Sequence, residues 1–274
     1  MNFIPWFRDK NPKQKIIVGG NGTSVEEFCV EIRPYVDHVI RGEGELALIE
    51  LLKGNIDYPG IDSAGEQIDN LDQLGYADYS EYNLAEYDRF YQEDVVQITG
   101  SRGCVRRCTF CNVASQWPKF RWRSGQHIFD EIKKTHQEKN VRHFYFTDSL
   151  INGSLKHFRL MNEYITEHIP NTISYKGQFI FRPAKHMPDR DYDLMRTAGC
   201  KLVQIGVESG SERVREHMRK KFSNEDIERT AYSLADQNIR QQWFLFVGYP
   251  TETDSDFEQT LAMIEKYAHL AQRR

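Results

Sequence analysis

The 274-residue chain has no long apolar run, few cysteines and little excess charge. No stretch approaches the roughly 20 apolar residues of a membrane-spanning helix, so no membrane partner is expected. The opening residues, MNFIPWFRDKNPKQK, hold no apolar core and no small-residue cleavage site. No secretory leader is read there, and a cytoplasmic location is expected. A formal net charge of −4 gives no reason to expect nucleic acid as the main partner. Five cysteines are an odd number and too few for an oxidised framework. A chain of this length buries enough core to fold without one.

Three of the cysteines nonetheless fall within eight residues, as Cys104, Cys108 and Cys111 of GCVRRCTFCN. This clustering points to a metal site in a reducing compartment. Structural zinc needs four ligands. His127, His136 and His143 are available as a fourth, but none has zinc-finger spacing to the cysteines. A ferredoxin-type cluster needs a fourth cysteine. Cys29 and Cys200 lie far away among apolar neighbours and read as small buried hydrophobes. Three thiolates without a fourth leave one metal position open, as a catalytic centre requires.

Strands and helices alternate on both sides of this loop. A strand is expected at 15–20, a helix capped by Thr23 or Ser24 over 23–36, and a strand, Gly-x-Gly turn and helix over 37–54. Residues 55–93, acidic and rich in Tyr and Gly, read as a linker. Further strands are expected at 94–101, 141–149, 172–182, 201–209 and 239–249. The expected helices lie at 124–139, 155–168, 189–199, 211–221, 224–238 and 253–272. Right-handed crossovers curl such βα units into part of a barrel whose strand C-termini share one face. The cysteine loop and the polar tips TDS, VESGS and GYPTET open onto that face. The expected division is an α/β segment over 1–54, the linker 55–93, and a partial barrel over 94–274.

The C-x3-C-x2-C spacing, with Phe110 before the third cysteine, resembles the signature of radical S-adenosylmethionine (SAM) enzymes. So does its place ahead of FYFTDSLIN, GVESGSERVREHMRKK and FLFVGYPTET. The likeness covers residues 95 to about 270. At the front, KIIVGGNGTS, VDHVIRGEGELALIELL and IDNLDQLGYADYSEYNLAEYD resemble the end of a cobalamin-binding domain and its linker. This is the arrangement of the cobalamin-binding subgroup of that family. The implied fold class is α/β: a partial (β/α) barrel of five to six βα units, preceded by a partial Rossmann-like cobalamin-domain remnant. Asp37-His38 does not fit the Asp-x-His-x-x-Gly motif whose His ligates cobalt, and the sequence stops after the helix following the fifth strand. A fragment or a naturally reduced gene product is expected.

The resemblance implies roles residue by residue. Cys104, Cys108 and Cys111 hold three irons of a 4Fe-4S cluster, and the fourth iron binds SAM. Phe110 lies against the adenine, Asp148 near the SAM amino group and Glu208 at the ribose. Lys220 pairs with the SAM carboxylate, with Arg219 a poorer match. Gly248 and Glu252 form a turn under the adenine, and Arg182 is a weaker candidate for SAM or substrate. Gly19, Gly20, Gly42 and Gly44 resemble turns that line the cobalamin tail. Each has a plain structural alternative. These are core packing for Phe110, a helix cap for Asp148, an ion pair for Glu208 and helix C-terminal charge for Arg219 and Lys220. Gly248 and Glu252 fit a Pro-driven loop, and the four glycines fit tight turns.

Arg102, Arg106, Arg107, Lys119, Arg121 and Arg123 surround the cysteines, with no acid between Asp94 and Asp130. They either ease cluster reduction and steer an acidic electron donor such as flavodoxin or ferredoxin, or form a solvated basic loop or RNA-facing patch. The implied reaction is reductive cleavage of SAM to methionine and a 5′-deoxyadenosyl radical that abstracts hydrogen from a small molecule. In the cobalamin-binding subgroup the resemblance adds a second step, methylation of the carbon that lost the hydrogen, by way of methylcobalamin. The alternatives are a methylthiotransferase-like modifier of RNA or protein and a truncated, non-catalytic iron–sulfur protein. The former needs a second cluster, for which no cysteines remain. The substrate is not legible in the sequence.

Overall fold

The computed structural model describes residues 3–84, 86 and 95–271. The chain forms two compact units, one ending at Asn70 and one starting at Leu71.

The first unit contains α1 (Phe3–Lys10), β1 (Ile17–Val18), α2 (Glu26–Ile32), β2 (His38–Val39) and α3 (Gly44–Leu52). β1 and β2 pair in parallel, and Cys29, Ile32 and Val39 form a small buried cluster beside them. The single helix expected over 23–36 is instead α2 between two 3-10 turns, Asn21–Ser24 and Arg33–Tyr35. Thr23 is not its cap: the hydroxyl donates to the Gly20 and Ile40 carbonyls, both at 2.8 Å. Pro34 in the second turn has no N–H to continue the helical ladder. Within 55–70, Ile61 bridges to Ile40, and the Asp62 carboxylate accepts from the Val39 amide at 2.8 Å. Residues 85 and 87–93 of the expected linker, and Asp94 of the expected first barrel strand, lie outside the described residues.

The second unit is built on a five-stranded sheet. Its strands are β3 (Val95–Ile98), β6 (His143–Phe146), β7 (Ser174–Phe179), β8 (Cys200–Glu208) and β9 (Arg240–Leu245), in that spatial order and all parallel. The sheet does not close, so β3 and β9 are its edges. A short antiparallel pair, β4 (Ser101–Arg102) with β5 (Arg121–Trp122), flanks the cysteine loop and was not expected from the sequence. The helices are α4 (Val113–Gln116), α5 (Gly125–Lys139), α6 (Leu155–His168), α7 (Asp189–Thr197), α8 (Glu212–His217), α9 (Asn224–Asp236) and α10 (Asp254–Ala271).

Period-two alternation fixes the register of the sheet. In β8, Val203, Ile205 and Val207 are fully buried in the core, and Gln204 and Gly206 face the other way. The buried side packs against the apolar face of α5 (Ile128, Phe129, Ile132) and against Met161, Met195 and Leu234. Ser124 caps α5, and Ser223 with Asp226 forms a capping box on α9. The helix expected over 211–221 stops at His217. Arg219 and Lys221 take left-handed φ values of 60° and 55°, and the Met218 carbonyl accepts from the Thr109 amide in the cysteine loop at 3.2 Å. That tertiary bond replaces the next helical turn. Among the described residues, no helix is long and apolar enough to cross a membrane.

Candidate active site

The cysteine loop leaves β4 through Gly103, whose φ is +86°. A Cβ there would lie 2.7 Å from the Lys119 carbonyl oxygen, so the close return of the loop past Lys119 requires glycine. Cys104 Sγ accepts from the Arg106 amide at 3.3 Å, and the Cys111 amide donates to the Cys108 carbonyl at 3.1 Å. The far side of the loop is tied to the chain after α8 and β9. Thr109 Oγ1 lies 2.8 Å from the Tyr249 hydroxyl, and Arg106 donates to the Lys221 carbonyl at 3.3 Å.

The three sulfurs share one electrostatic environment. Burial pushes the Cys104 and Cys108 thiols up, and each is raised further by the charge of its cysteine neighbours. Lys220 pulls Cys108 back towards the thiolate, and Arg106 does the same for both. Burial lowers Arg182, and the charge of Cys104 acts on it in the opposite sense. Cys111 is exposed. Cys200 is buried and pushed up to about 12, as expected of an inert core thiol.

Among the described residues, no three His, Cys, Asp or Glu side chains sit close enough to hold a single metal ion. A four-iron cluster spreads its thiolates more widely than one tetrahedral ion does. Each histidine that could complete a zinc site uses one ring nitrogen in a hydrogen bond. His127 Nδ1 accepts from Arg123, and the Nδ1 atoms of His136 and His143 pair with the Val141 carbonyl and the Ser174 hydroxyl. Three cysteines flanked by cations suit the negative charge of a thiolate-held iron–sulfur cluster.

Glu208 ends β8 in the left-handed region, φ 70°, and is buried. Its Oε1 accepts from Lys220 Nζ at 2.8 Å, and its carbonyl accepts from the Phe246 amide at 3.2 Å. Gly206 makes room for the pair: a Cβ there would lie 2.4 Å from Glu208 Oε1 and 3.1 Å from Lys220 Nζ. Sequence reasoning missed Gly206, although a lone glycine inside a strand signals such a close approach. Lys220 also lies 5.7 Å above the Phe110 ring. Phe110 is 47% exposed and meets Phe246 edge-on at 5.3 Å, so it is not a core residue. Cys108, Phe110, Glu208 and Lys220 thus come together.

The other expected residues have identifiable partners. Asp148 is buried and accepts from the Gly100 amide at 2.8 Å and from the Ser101 hydroxyl. It does not cap α6, and burial pushes it up to about 6. Arg182 lies beyond the end of β7 and donates to the Asn152 and Gly153 carbonyls at 3.0 and 2.9 Å. The Gly248 amide donates to Glu252 Oε2 at 2.6 Å, closing the GYPTET turn, and Glu252 Oε1 is buried without a partner. Arg219 follows the end of α8 rather than belonging to its last turn. Two of the six cations around the loop are not solvated. Arg121 and Arg123 are buried, and Arg123 is bound to Glu131 and His127.

A parallel, unclosed α/β sheet with a three-cysteine loop at its strand C-termini is the architecture of a radical SAM core. The family comparison agrees: residues 98–264 match the Radical SAM superfamily, and the chain belongs to it. Membership implies a 4Fe-4S cluster and S-adenosylmethionine as cofactors. Among curated proteins, the chain is 28% identical over 204 residues to cytidylyl-2-hydroxyethylphosphonate methyltransferase of Streptomyces wedmorensis, covering 70% of this chain and 36% of that protein. Among solved structures, it resembles the cobalamin-dependent S-adenosylmethionine radical enzyme OxsB with aqua-cobalamin bound. The TM-score is 0.79 at 19% identity, over 96% of this chain and 41% of that one. It also resembles the radical S-adenosylmethionine methyltransferase TsrM of Kitasatospora setae, with a TM-score of 0.78 at 18% identity, over 97% of this chain and 57% of that one. The chain spans 36–59% of the length of the first three curated relatives.

Proposed function

We propose that this chain carries the catalytic core of a SAM-cleaving enzyme, with Cys104, Cys108 and Cys111 as the cluster ligands and methyl transfer as the overall reaction. The observation that supports it most is the meeting of the cysteine loop with the Glu208–Lys220 pair at one end of the parallel sheet. A bound cluster supplies the electron that cleaves SAM at its sulfonium. The protein's own residues bind, orient and shield. Lys220 offers its ammonium to the SAM carboxylate, which frees Glu208 to accept from the ribose hydroxyls. Phe110, exposed beside Phe246, offers a ring face to the adenine over the turn closed by Gly248 and Glu252. Asp148 holds Gly100 and Ser101, and so fixes where the cysteine loop begins. Cations near the sulfurs stabilise added negative charge and favour an acidic donor such as flavodoxin or ferredoxin. Arg121 and Arg123 are too buried to steer one.

For cobalamin the support is narrower. Gly20 (φ +91°) faces open space, whereas a Cβ on Gly42 would meet Gly65, and one on Gly19 or Gly44 would meet Ile40. His38 Nδ1 is 2.9 Å from Asp62 Oδ2. These turns support a contact with the nucleotide tail at Gly20.

A methylthiotransferase-like reading needs a second cluster, and the two remaining cysteines are both buried. The proposal is tested by anaerobic reconstitution with iron and sulfide, followed by dithionite and SAM. Formation of 5′-deoxyadenosine supports it. A cluster-loaded protein that leaves SAM intact rejects it.

A further inference from the structure

All five strands of the sheet run the same way, so their N-terminal ends share the edge opposite the cysteine loop. A cavity of about 510 Å³ opens there. Its lining gathers Arg142 and His143 at the start of β6, Lys176 on β7, Lys201 on β8, Arg240 at the start of β9 and Arg196 on α7, with no carboxylate among the lining residues. These positions span almost a hundred residues of sequence, so the fold rather than a local charge run assembles them. Of the helix residues among them, Arg196 lies in a last turn, where the helix dipole favours a cation. Arg142, Lys201 and Arg240 come from the strand starts, outside any helix. Arg142, Arg196, Lys201 and Arg240 place four like charges around one cavity, and an anion between them is favoured.

Lys176 is engaged by a row of neutral side chains. Lys176 Nζ lies 5.6 Å over the Tyr145 ring, the Tyr145 hydroxyl donates to Gln204 at 3.3 Å, and Gln204 donates to Gln242 at 2.8 Å. From Lys201 to Glu208 the strand advances seven residues, roughly 23 Å, which separates this cavity from the cysteine site.

We propose that this cavity is a binding site for a small oligophosphate. Guanidinium forks match phosphate oxygens two at a time, and the cationic charge exceeds what a single carboxylate would neutralise. The volume lies within the range of small-molecule sites. The site stands independently of the radical reading, because none of its residues belongs to the cysteine end.

The test is calorimetric titration of the full chain with pyrophosphate at fixed ionic strength, with ADP as a second arm. The expected result is saturable one-to-one binding of pyrophosphate, weakened at least tenfold in Lys201→Glu/Arg240→Glu with an unchanged melting temperature. Because Lys201 and Arg240 are exposed, these changes leave the core intact. Arg142→Gln, a milder variant, is expected to weaken binding severalfold and guards against misfolding of the double variant. Tighter binding of ADP than of pyrophosphate assigns the site to a nucleotide, and equal binding assigns it to the bare oligophosphate. Absence of saturable binding, or equal affinity in all variants, overturns the proposal. It is also overturned if a short RNA displaces pyrophosphate and binds the cavity far more tightly, since the surface would then read a nucleic-acid backbone.

Discussion

Lys220 holds its ammonium 2.8 Å from Glu208 Oε1, and both residues depart from regular structure to meet. Glu208 lies in the left-handed region at the end of β8, and Lys220 lies between two left-handed residues, Arg219 and Lys221. Backbone in this conformation costs about 1–3 kcal/mol at a non-glycine residue and persists where tertiary contacts hold it. Here the contacts are the Thr109–Met218 and Phe246–Glu208 backbone bonds. The pair couples the end of the sheet to the cysteine loop, because Lys220 is also the main cation opposing the upward shift of Cys108.

Replacing Lys220 with Met removes that cation. The Cys108 thiol is already raised by burial, so the variant raises it further and lowers its thiolate fraction at any pH near neutrality. Iodoacetamide alkylation of Cys108 in the iron-free protein, followed by peptide mass spectrometry, is expected to slow severalfold. Cys200, with its thiol near 12, is expected to stay unmodified in both proteins.

Gly103→Ala places a Cβ against the Lys119 carbonyl at a φ that side chains avoid. A loss of about 1–3 kcal/mol is expected in urea unfolding. Gly206→Ala acts differently, since its φ is ordinary and its Cβ meets the Glu208–Lys220 pair. We expect a smaller loss of stability and a greater loss of SAM affinity, read by equilibrium dialysis.

Asp148 contributes a pH dependence of known sign. Its carboxyl is raised by burial from 3.8 to about 6 in the folded chain. Between those values the folded state binds the proton and the unfolded state does not, so stability falls as pH rises through this window. A shift of about two units amounts to roughly 3 kcal/mol. Unfolding of Asp148→Asn between pH 4 and 7 is expected to lack this loss, so wild type and variant diverge as pH rises. Parallel curves would contradict it.

The chain shows which parts of a site are local. The cysteine spacing and the alternation of strands and helices follow from period and spacing, which short windows carry. Phe110, Glu208 and Lys220 were marked only by the family resemblance, because Phe110 lies about a hundred residues from the other two. The early end of α8 does not follow from a short window either. SERVREHMRKK favours helix throughout, and it stops because the Met218 carbonyl bonds a loop more than a hundred residues earlier. The partners of Asp148, at Gly100 and Ser101, are distant for the same reason, as is the burial of Arg121 and Arg123. The basic cavity was invisible because each of its cations is an ordinary exposed residue until the parallel sheet aligns the strand starts.

The most direct test of the central claim is an iron count with electron paramagnetic resonance on the anaerobically reconstituted, reduced protein, before and after SAM. The account predicts one 4Fe-4S cluster per chain, a signal that changes when SAM is added, and loss of the cluster when Cys104, Cys108 or Cys111 is replaced by Ala. A cluster indifferent to SAM, or one retained after any of those replacements, would contradict it.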